Sequence, residues 1–276
     1  MAVALALLAA VVYGAADFYG GVASRRTPAA TVVVLSQLAG IVVLVIGWLA
    51  LPGKFYASDI GWGILAGVAG SVAIAALYMA LAVGRMGVVS PITAIVGASV
   101  PVVAGLLLGD RPAPLAIVGV ACAFVAVALV SANAETKRIS LREPGIVPAL
   151  VSGVAIGALF VLLGYGHADA GLARLAVTRA TSVVLLVTYA LVRRETLRPA
   201  AGSLRVILVA GALDMAANVL FIAATRFGLL SIVAVLTSLY PASTVFLARI
   251  VLHERLSNSQ WVGVGLAACG VAFIAI

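Results

Sequence analysis

Long, continuously apolar runs alternate with short polar breaks along the whole chain. Ten runs can be marked at charges and at Gly and Pro residues, near 2–22, 29–51, 60–83, 88–108, 113–132, 145–165, 171–192, 204–225, 230–251 and 258–276. Each has about 20 residues, the length that an α-helix needs to cross a hydrocarbon core of roughly 30 Å. Membrane β-strands would instead alternate apolar and polar residues over about ten positions. The pattern predicts an all-α polytopic membrane protein with ten transmembrane helices.

The composition supports a lipid environment. Of the 276 residues, 64% are apolar and 9% are charged, whereas soluble domains have about 45–50% and 25%. The net charge of +8 comes from basic residues scattered through short loops, without the aromatic interleaving of a nucleic-acid groove. Cys122 and Cys269 both lie inside apolar runs. We therefore expect no disulfide, metal site, cofactor or nucleic-acid partner.

Two stretches of the chain repeat each other. VAGSVAIAALYMALAVGRMGVVS, from Val68, aligns with VAGALDMAANVLFIAATRFGLLS, from Val209, including matched Gly, Arg and Ser residues. Between the halves lies NAETKRISLREP, the longest polar stretch. We therefore predict a first five-helix repeat at 1–133, a polar linker at 134–144 and a second five-helix repeat at 145–276. Because five is odd, the repeats cross the membrane in opposite directions, as in secondary transporters with a central cavity.

The ending of each repeat carries a family resemblance. GLLSIVAVLTSLYPASTVFLARIVLHERLSNSQWVGVGLAACGVAFI, from Gly228, has a proline-bearing helix, a Glu-Arg turn and a Trp-x-Gly helix. The first half holds a weaker copy with Asp110 in place of Glu254. The sequence resembles the EamA-type carriers of the drug/metabolite transporter superfamily, including its YddG-like branch. The resemblance implies a monomeric exporter of small metabolites, amino acids and aromatic ones among them, in the cytoplasmic membrane of a prokaryote.

Polar residues inside apolar runs are candidate site residues, because they are costly in hydrocarbon and normally face the bundle interior. Those on shared helical faces are Tyr13 and Asp17 in the first run, Ser71 and Tyr78 in the third, and Asp214, Asn218 and Phe221 in the eighth. A carboxylate suits a substrate ammonium, amide and hydroxyl groups suit a carboxylate, and aromatic rings suit an apolar side chain. We predict that these residues bind substrate.

Pro101 and Pro241 stand at matching places in the fourth and ninth runs. Proline leaves a carbonyl oxygen without its helical donor and favours a kink. We predict hinges at both positions, with Ser99, Ser238 and Tyr240 beside them as further substrate-binding candidates; packing kinks without ligand contact are the alternative.

Two charged residues inside the runs have predicted roles in proton coupling and in ion pairing. Asp214 is the candidate for a group that binds a coupling proton. The alternative is facilitated diffusion, which needs no such group. Arg179 lies deep in the seventh run, and we expect it to pair with Asp17 or another carboxylate. The spacings Gly63-x-x-x-Gly67 and Gly153-x-x-x-Gly157 favour close helix packing.

Other function classes fit the sequence less well. Asp17 and Asp214 would be the dyad of an intramembrane aspartyl hydrolase, but their contexts, YGAAD and GALD, lack the GxGD pattern. No GxxxxGK[ST] is present for ATP-driven pumping. We expect no enzyme activity; a carrier or channel for another small solute remains the alternative.

The loop charges predict an orientation. Loops after odd-numbered runs hold twelve Lys and Arg residues and those after even-numbered runs hold four. The positive-inside rule places the more basic side in the cytoplasm and both termini outside. Many members of the resembled family have both termini inside.

Overall fold

The computed structural model describes residues 1–50, 53–84, 86–131, 144–164, 167, 170, 172–252 and 258–275. Every regular element in this part of the chain is an α-helix. The helices are α1 (Ala2–Ser24), α2 (Ala29–Ala50), α3 (Ala57–Val83), α4 (Met86–Leu107), α5 (Pro114–Ser131), α6 (Ile146–Gly164), α7 (Ala173–Val192), α8 (Ser203–Thr225), α9 (Leu230–Thr237), α10 (Tyr240–Leu252) and α11 (Asn258–Ala275).

Seven of these helices are long and apolar enough to cross a membrane, namely α1, α2, α3, α4, α6, α7 and α8. Shorter apolar helical segments cover 114–129, 230–244 and 261–274. Large apolar side chains are exposed along the outside of the bundle, such as Val42, Leu65 and Val184. The protein is a polytopic membrane protein, as its composition predicts.

The helices differ from the predicted runs at one place. The run near 230–251 is two helices, α9 and α10, which are separated at Ser238 and Leu239. Residues 134–143 of the predicted linker at 134–144 lie outside the described residues, as do Arg85 of the repeat and the Glu254–Arg255 turn.

Helix contacts in one half of the chain have counterparts in the other half. In the inner bundle, the contact of α1 with α8 corresponds to that of α6 with α3. The contact of α2 with α8 corresponds to that of α7 with α3. The segment α9–α10 packs on α1 as α4 packs on α6, while α5 packs on α11. The four helices α1, α3, α6 and α8 therefore lie at the centre of the bundle.

Small residues bring the central helices close together. At Gly211 on α8, a Cβ atom would overlap the backbone of Ser36 on α2. At Gly157 on α6, a Cβ atom would lie 2.7 Å from the carbonyl oxygen of Gly97 and against the side chain of Val100, both on α4. Lipid tails are as apolar as leucine, so association in the bilayer depends on such close backbone contact. The predicted packing role of Gly153-x-x-x-Gly157 agrees with these contacts.

The two ends of the bundle are joined by different contacts. We call the end that holds Met1 the terminal end; there the Asp110 carboxylate accepts hydrogen bonds from the Ser231 hydroxyl at 2.6 Å and amide at 3.2 Å. We call the opposite end, near Pro144, the linker end. There the Thr31 hydroxyl donates to the Thr196 carbonyl at 2.9 Å, and the Ala200 amide donates to the Thr27 hydroxyl at 3.1 Å. Both of these described linker-end contacts are between neutral groups.

The α4–α6 contact generates the first prediction. Gly157→Ala is expected to destabilise the protein by about 1–3 kcal/mol, because its Cβ meets backbone that cannot move aside. Gly61→Ala is the matched control, since nothing lies within 4 Å of a Cβ there. Thermal unfolding of the detergent-solubilised variants measures both. An equal melting temperature for the two variants would contradict the packing assignment.

Candidate functional site

A cavity of about 70 Å³ lies at the middle of the bundle, between α1, α2, α3, α6, α7, α8 and α10. Its polar lining consists of Tyr13, Asp17, Gln37, Thr178, Arg179, Ser182, Asp214, Asn218 and Tyr240. Its apolar lining consists of Gly70, Ala73, Ile74, Leu77, Ile156, Leu159, Phe160 and Leu175. Nearly all of the apolar lining comes from α3 and α6, whereas the polar lining comes from α1, α2, α7, α8 and α10. The cavity therefore has a polar wall and an apolar wall.

Arg179 on α7 organises the polar wall. Its Nη2 atom donates to Asp214 Oδ2 on α8 at 2.9 Å, and its Nη1 atom donates to Gln37 Oε1 on α2. Arg179 and Gln37 are both 5% exposed. Asn218, one turn beyond Asp214, donates its amide to the Asp214 carbonyl at 2.8 Å. One guanidinium thus joins three helices and compensates the Asp214 carboxylate.

Asp17 on α1 lines the same cavity, but its surroundings differ from those of Asp214. It is 7% exposed, and none of the described residues makes a hydrogen bond or ion pair with it. Tyr13 lies one turn earlier on α1, and its buried hydroxyl also has no partner among the described residues. The cavity therefore presents one compensated carboxylate and one uncompensated carboxylate.

Aromatic rings form the centre of the apolar wall. Phe160 on α6 stacks on Phe221 on α8 with ring centroids 4.3 Å apart, and it meets Tyr13 at 6.0 Å. Phe221 is fully buried behind Phe160 and does not line the cavity. The stack joins α6 to α8, and Phe160 lines the cavity.

The predicted site residues fall into two groups. Those that line the cavity are Tyr13, Asp17, Asp214, Asn218 and Tyr240. Those that do not line it are Ser71, Tyr78, Ser99, Phe221 and Ser238. Ser99 donates to the Ile95 carbonyl and Ser238 to the Val235 carbonyl, each at 2.7 Å within its own helix.

Ser71 and Tyr78 lie on α3 near the cavity without lining it. The Ser71 hydroxyl donates to the Gly67 carbonyl at 2.7 Å and lies 3.1 Å from the hydroxyl of Ser182, which does line the cavity. Tyr78 is 1% exposed, and its ring fills the space left by Gly20 on α1. Both residues support the lining from behind.

The two predicted hinge prolines have different surroundings. The chain breaks between α9 and α10 just before Pro241, whereas α4 runs through Pro101 without interruption. Thr237, four residues before Pro241, has a buried hydroxyl without a partner among the described residues. The break places Tyr240, the first residue of α10, at the cavity.

Sequence reasoning missed two features of the site. Gln37 was not singled out, although it is the only amide side chain in its apolar run. Arg179 was expected to make an ion pair, but its position in the cavity wall was not foreseen. The signal for both is a long polar side chain near the middle of a predicted span.

A second buried ion pair lies near the terminal end. Arg174 on α7 binds Asp59 on α3 through Nε at 3.1 Å and Nη2 at 2.7 Å. His167 Nδ1 lies 2.9 Å from the other Asp59 oxygen, and its ring stacks on Tyr56. Asp59 is 2% exposed and Arg174 is 6% exposed. The pair ties the start of α3 to the start of α7.

Comparison with known proteins identifies the family. The sequence profile of the EamA-like transporter family matches residues 1–132 and 143–276. The chain belongs to the EamA-like transporter family. Its members are transporters rather than enzymes, so this protein is a multi-pass membrane transporter of small solutes.

One solved structure, titled "Crystal structure of protein", has the same fold. It is 16% identical in sequence, with a TM-score of 0.76 over 98% of this chain and 94% of that chain. No curated protein matches this chain.

The Arg179–Asp214 pair generates the second prediction. Arg179→Met and Asp214→Leu are each expected to destabilise the protein by about 2–5 kcal/mol, because each leaves a buried charge unpaired. The double variant should recover much of this loss, since neither member of the pair is then left without its partner. Thermal unfolding of the four proteins measures the coupling. Additive losses would contradict the pairing; Asp17→Asn, which breaks no contact, is the control.

Proposed function

We propose that this transporter is a secondary carrier that exports small ammonium-bearing metabolites, amino acids foremost, by alternating access. The observation that carries the proposal is the central cavity, in which a polar wall with two carboxylates faces an apolar wall. An amino acid has the same two parts, a charged head and a side chain. Export and the cytoplasmic membrane of a prokaryote follow the resemblance to YddG-like exporters.

Alternating access requires two halves that can exchange roles. We propose ten spans, α9 and α10 together making one, in two inverted five-helix repeats at 1–133 and 145–276. The recurrence of helix pairs under exchange of the halves supports this arrangement. In such folds the substrate site lies at the repeat interface near the midplane. The cavity has lining residues from helices of both halves, which supports a substrate site there.

The lining residues suggest how a substrate is held. The ammonium group binds at the carboxylate side of the polar wall, beside Asp17, while the Asn218 amide and the Ser182 hydroxyl suit the substrate carboxylate. Ile74, Leu159 and Phe160 receive an apolar or aromatic side chain. A few convergent polar groups within a mostly apolar pocket are the usual basis of small-molecule recognition.

The hydrolase alternative has less support. An aspartyl dyad shares one proton between two adjacent carboxylates, whereas Asp214 Oδ2 is engaged by Arg179 at 2.9 Å. Membership of a transporter family also disfavours catalysis. The channel alternative differs from a carrier in having no saturable exchange.

The third prediction tests the substrate class. In proteoliposomes, labelled L-phenylalanine or L-leucine should show saturable counterflow against the same unlabelled amino acid. Phenethylamine, which keeps the ammonium group, should compete with L-phenylalanine, whereas 3-phenylpropionate, which lacks it, should not. Counterflow of another metabolite alone would overturn the substrate class, and non-saturable flux would favour a channel.

A matched pair of variants on α8 tests the site. Asn218→Ala is expected to lower the counterflow rate at least several-fold, because Asn218 lines the cavity. Thr225→Ala should keep the wild-type rate, since the Thr225 hydroxyl donates to the Ile222 carbonyl outside the lining. Equal rates for the two variants would contradict the proposed site.

The fourth prediction concerns orientation. Exposed basic residues at the linker end include Arg25, Arg26, Arg193 and Arg194, so we propose that this end faces the cytoplasm. In a variant without Cys122 and Cys269, an impermeant thiol reagent should label Lys54→Cys in intact cells and spare Arg193→Cys. The reverse labelling would overturn the orientation.

A further inference from the structure

The charges in the cavity do not balance. Asp17 and Asp214 are acidic and Arg179 is basic, and no other Asp, Glu, Lys or Arg lines the described cavity. With all three groups ionised, the cavity carries one excess negative charge. An uncompensated charge in a medium of low dielectric constant is costly, so this site favours an occupant that places a cationic group beside the excess charge.

The excess charge belongs to Asp17. Arg179 and Asp214 bind each other at 2.9 Å, and Asn218 Nδ2 lies 3.5 Å from the second Asp214 oxygen. Asp17 has no such partner among the described residues although it is 7% exposed. One arginine therefore makes the surroundings of the two carboxylates different.

The other elements packed around Asp17 supply no cation to it directly. The titratable and charged groups that act on this region are Tyr13 on α1, Tyr78 on α3, Arg179 on α7, Asp214 on α8 and Tyr240 on α10. Four of these are tyrosines or acids, and the one cation is engaged by Asp214. The helices α2 and α9 contain no titratable side chain.

The second repeat contributes no counterpart of the Asp17 carboxylate to the described cavity. In the repeat, α6 corresponds to α1, but its cavity residues are Ile156, Leu159 and Phe160. One carboxylate is therefore available for each cavity, which limits the site to one positive charge at a time.

We propose that Asp17 is the coupling site of the carrier, where a proton and the ammonium group of the substrate bind in turn and exclude each other. This inference rests on the proposed function and names its coupling ion and the residue that binds it. Asp214, the sequence-based candidate, is a positioning residue that holds Arg179.

In the proposed exchange, a proton and the substrate ammonium group alternate as the partner of the Asp17 carboxylate. Release of the substrate ammonium to one side leaves Asp17 ionised, a proton binds there, and the neutral site returns to release the proton on the other side. One proton moves inward for each zwitterionic amino acid moved outward. The cycle therefore carries one net positive charge inward, and a proton gradient drives accumulation.

The experiment measures L-phenylalanine counterflow in wild-type proteoliposomes with equal pH on both sides, from about pH 5 to pH 9. Competition at Asp17 is expected to raise the apparent KM as pH falls, by up to about tenfold per pH unit, while the maximal rate changes less. An imposed acidic lumen should drive uptake of L-phenylalanine. A KM that does not change with pH would overturn the proposal.

Three variants assign the effect to one residue. Asp17→Asn should raise the KM for L-phenylalanine, because the ammonium group loses its partner, and it should abolish both the pH dependence of KM and gradient-driven uptake. Asp17→Glu should restore all three. Asp110→Asn, outside the cavity, is the matched control and should retain both. Retention of the pH dependence in Asp17→Asn, with its melting temperature at the wild-type value, would overturn the assignment.

Failure of the two proposals can be told apart. Wild-type counterflow of L-phenylalanine that ignores pH leaves the proposed function in place and removes Asp17 from coupling. Absence of counterflow for every ammonium-bearing compound, with another solute exchanged instead, overturns both.

Discussion

The interior of the bundle is organised by the need to compensate a guanidinium group within apolar surroundings. Arg179 is 5% exposed, and an unpaired cation at such a site is costly. Its partners come from two other helices, Gln37 on α2 and Asp214 on α8. The relative positions of α2, α7 and α8 are thus fixed by one side chain, and the polar wall of the cavity depends on it.

Close packing of small residues supplies the rest of the architecture. Gly211 lets α8 approach the backbone of Ser36 on α2, near the contact between Gln37 and Arg179. A larger residue there would separate the helices whose side chains form the polar network. Packing and electrostatics are therefore coupled at the same crossing, and neither explains the cavity by itself.

Much of the fold could be predicted from the sequence, because hydrocarbon imposes a simple length and composition on each span. The break between α9 and α10 was harder to predict. Pro101 and Pro241 stand at matching places in the repeats, yet the helix is interrupted just before Pro241 and is continuous through Pro101. Alignment of the two repeats matches these prolines and does not distinguish them.

The candidate site was predictable in its residue types and less so in its roles. Helical spacing placed Asp17 and Asp214 in runs that could face a cavity, and both line it. Asp214 has an ion-pair partner and Asp17 has none among the described residues. This difference depends on the distance between Asp214 and Arg179, which are 35 positions apart in the chain. Local periodicity cannot supply a distance between helices, so the sequence alone could not show which carboxylate pairs with Arg179.

The contacts at the two ends have unequal strength. Any motion that parts α3 from α7 at the terminal end must separate Asp59 from Arg174, a buried ion pair held by two hydrogen bonds. The corresponding motion at the linker end breaks the two neutral hydrogen bonds of Thr31 and Thr27, each worth about 1 kcal/mol. Because separating a buried pair costs several kcal/mol, parting these described contacts costs more at the terminal end than at the linker end, where residues 132–143 lie outside the described chain.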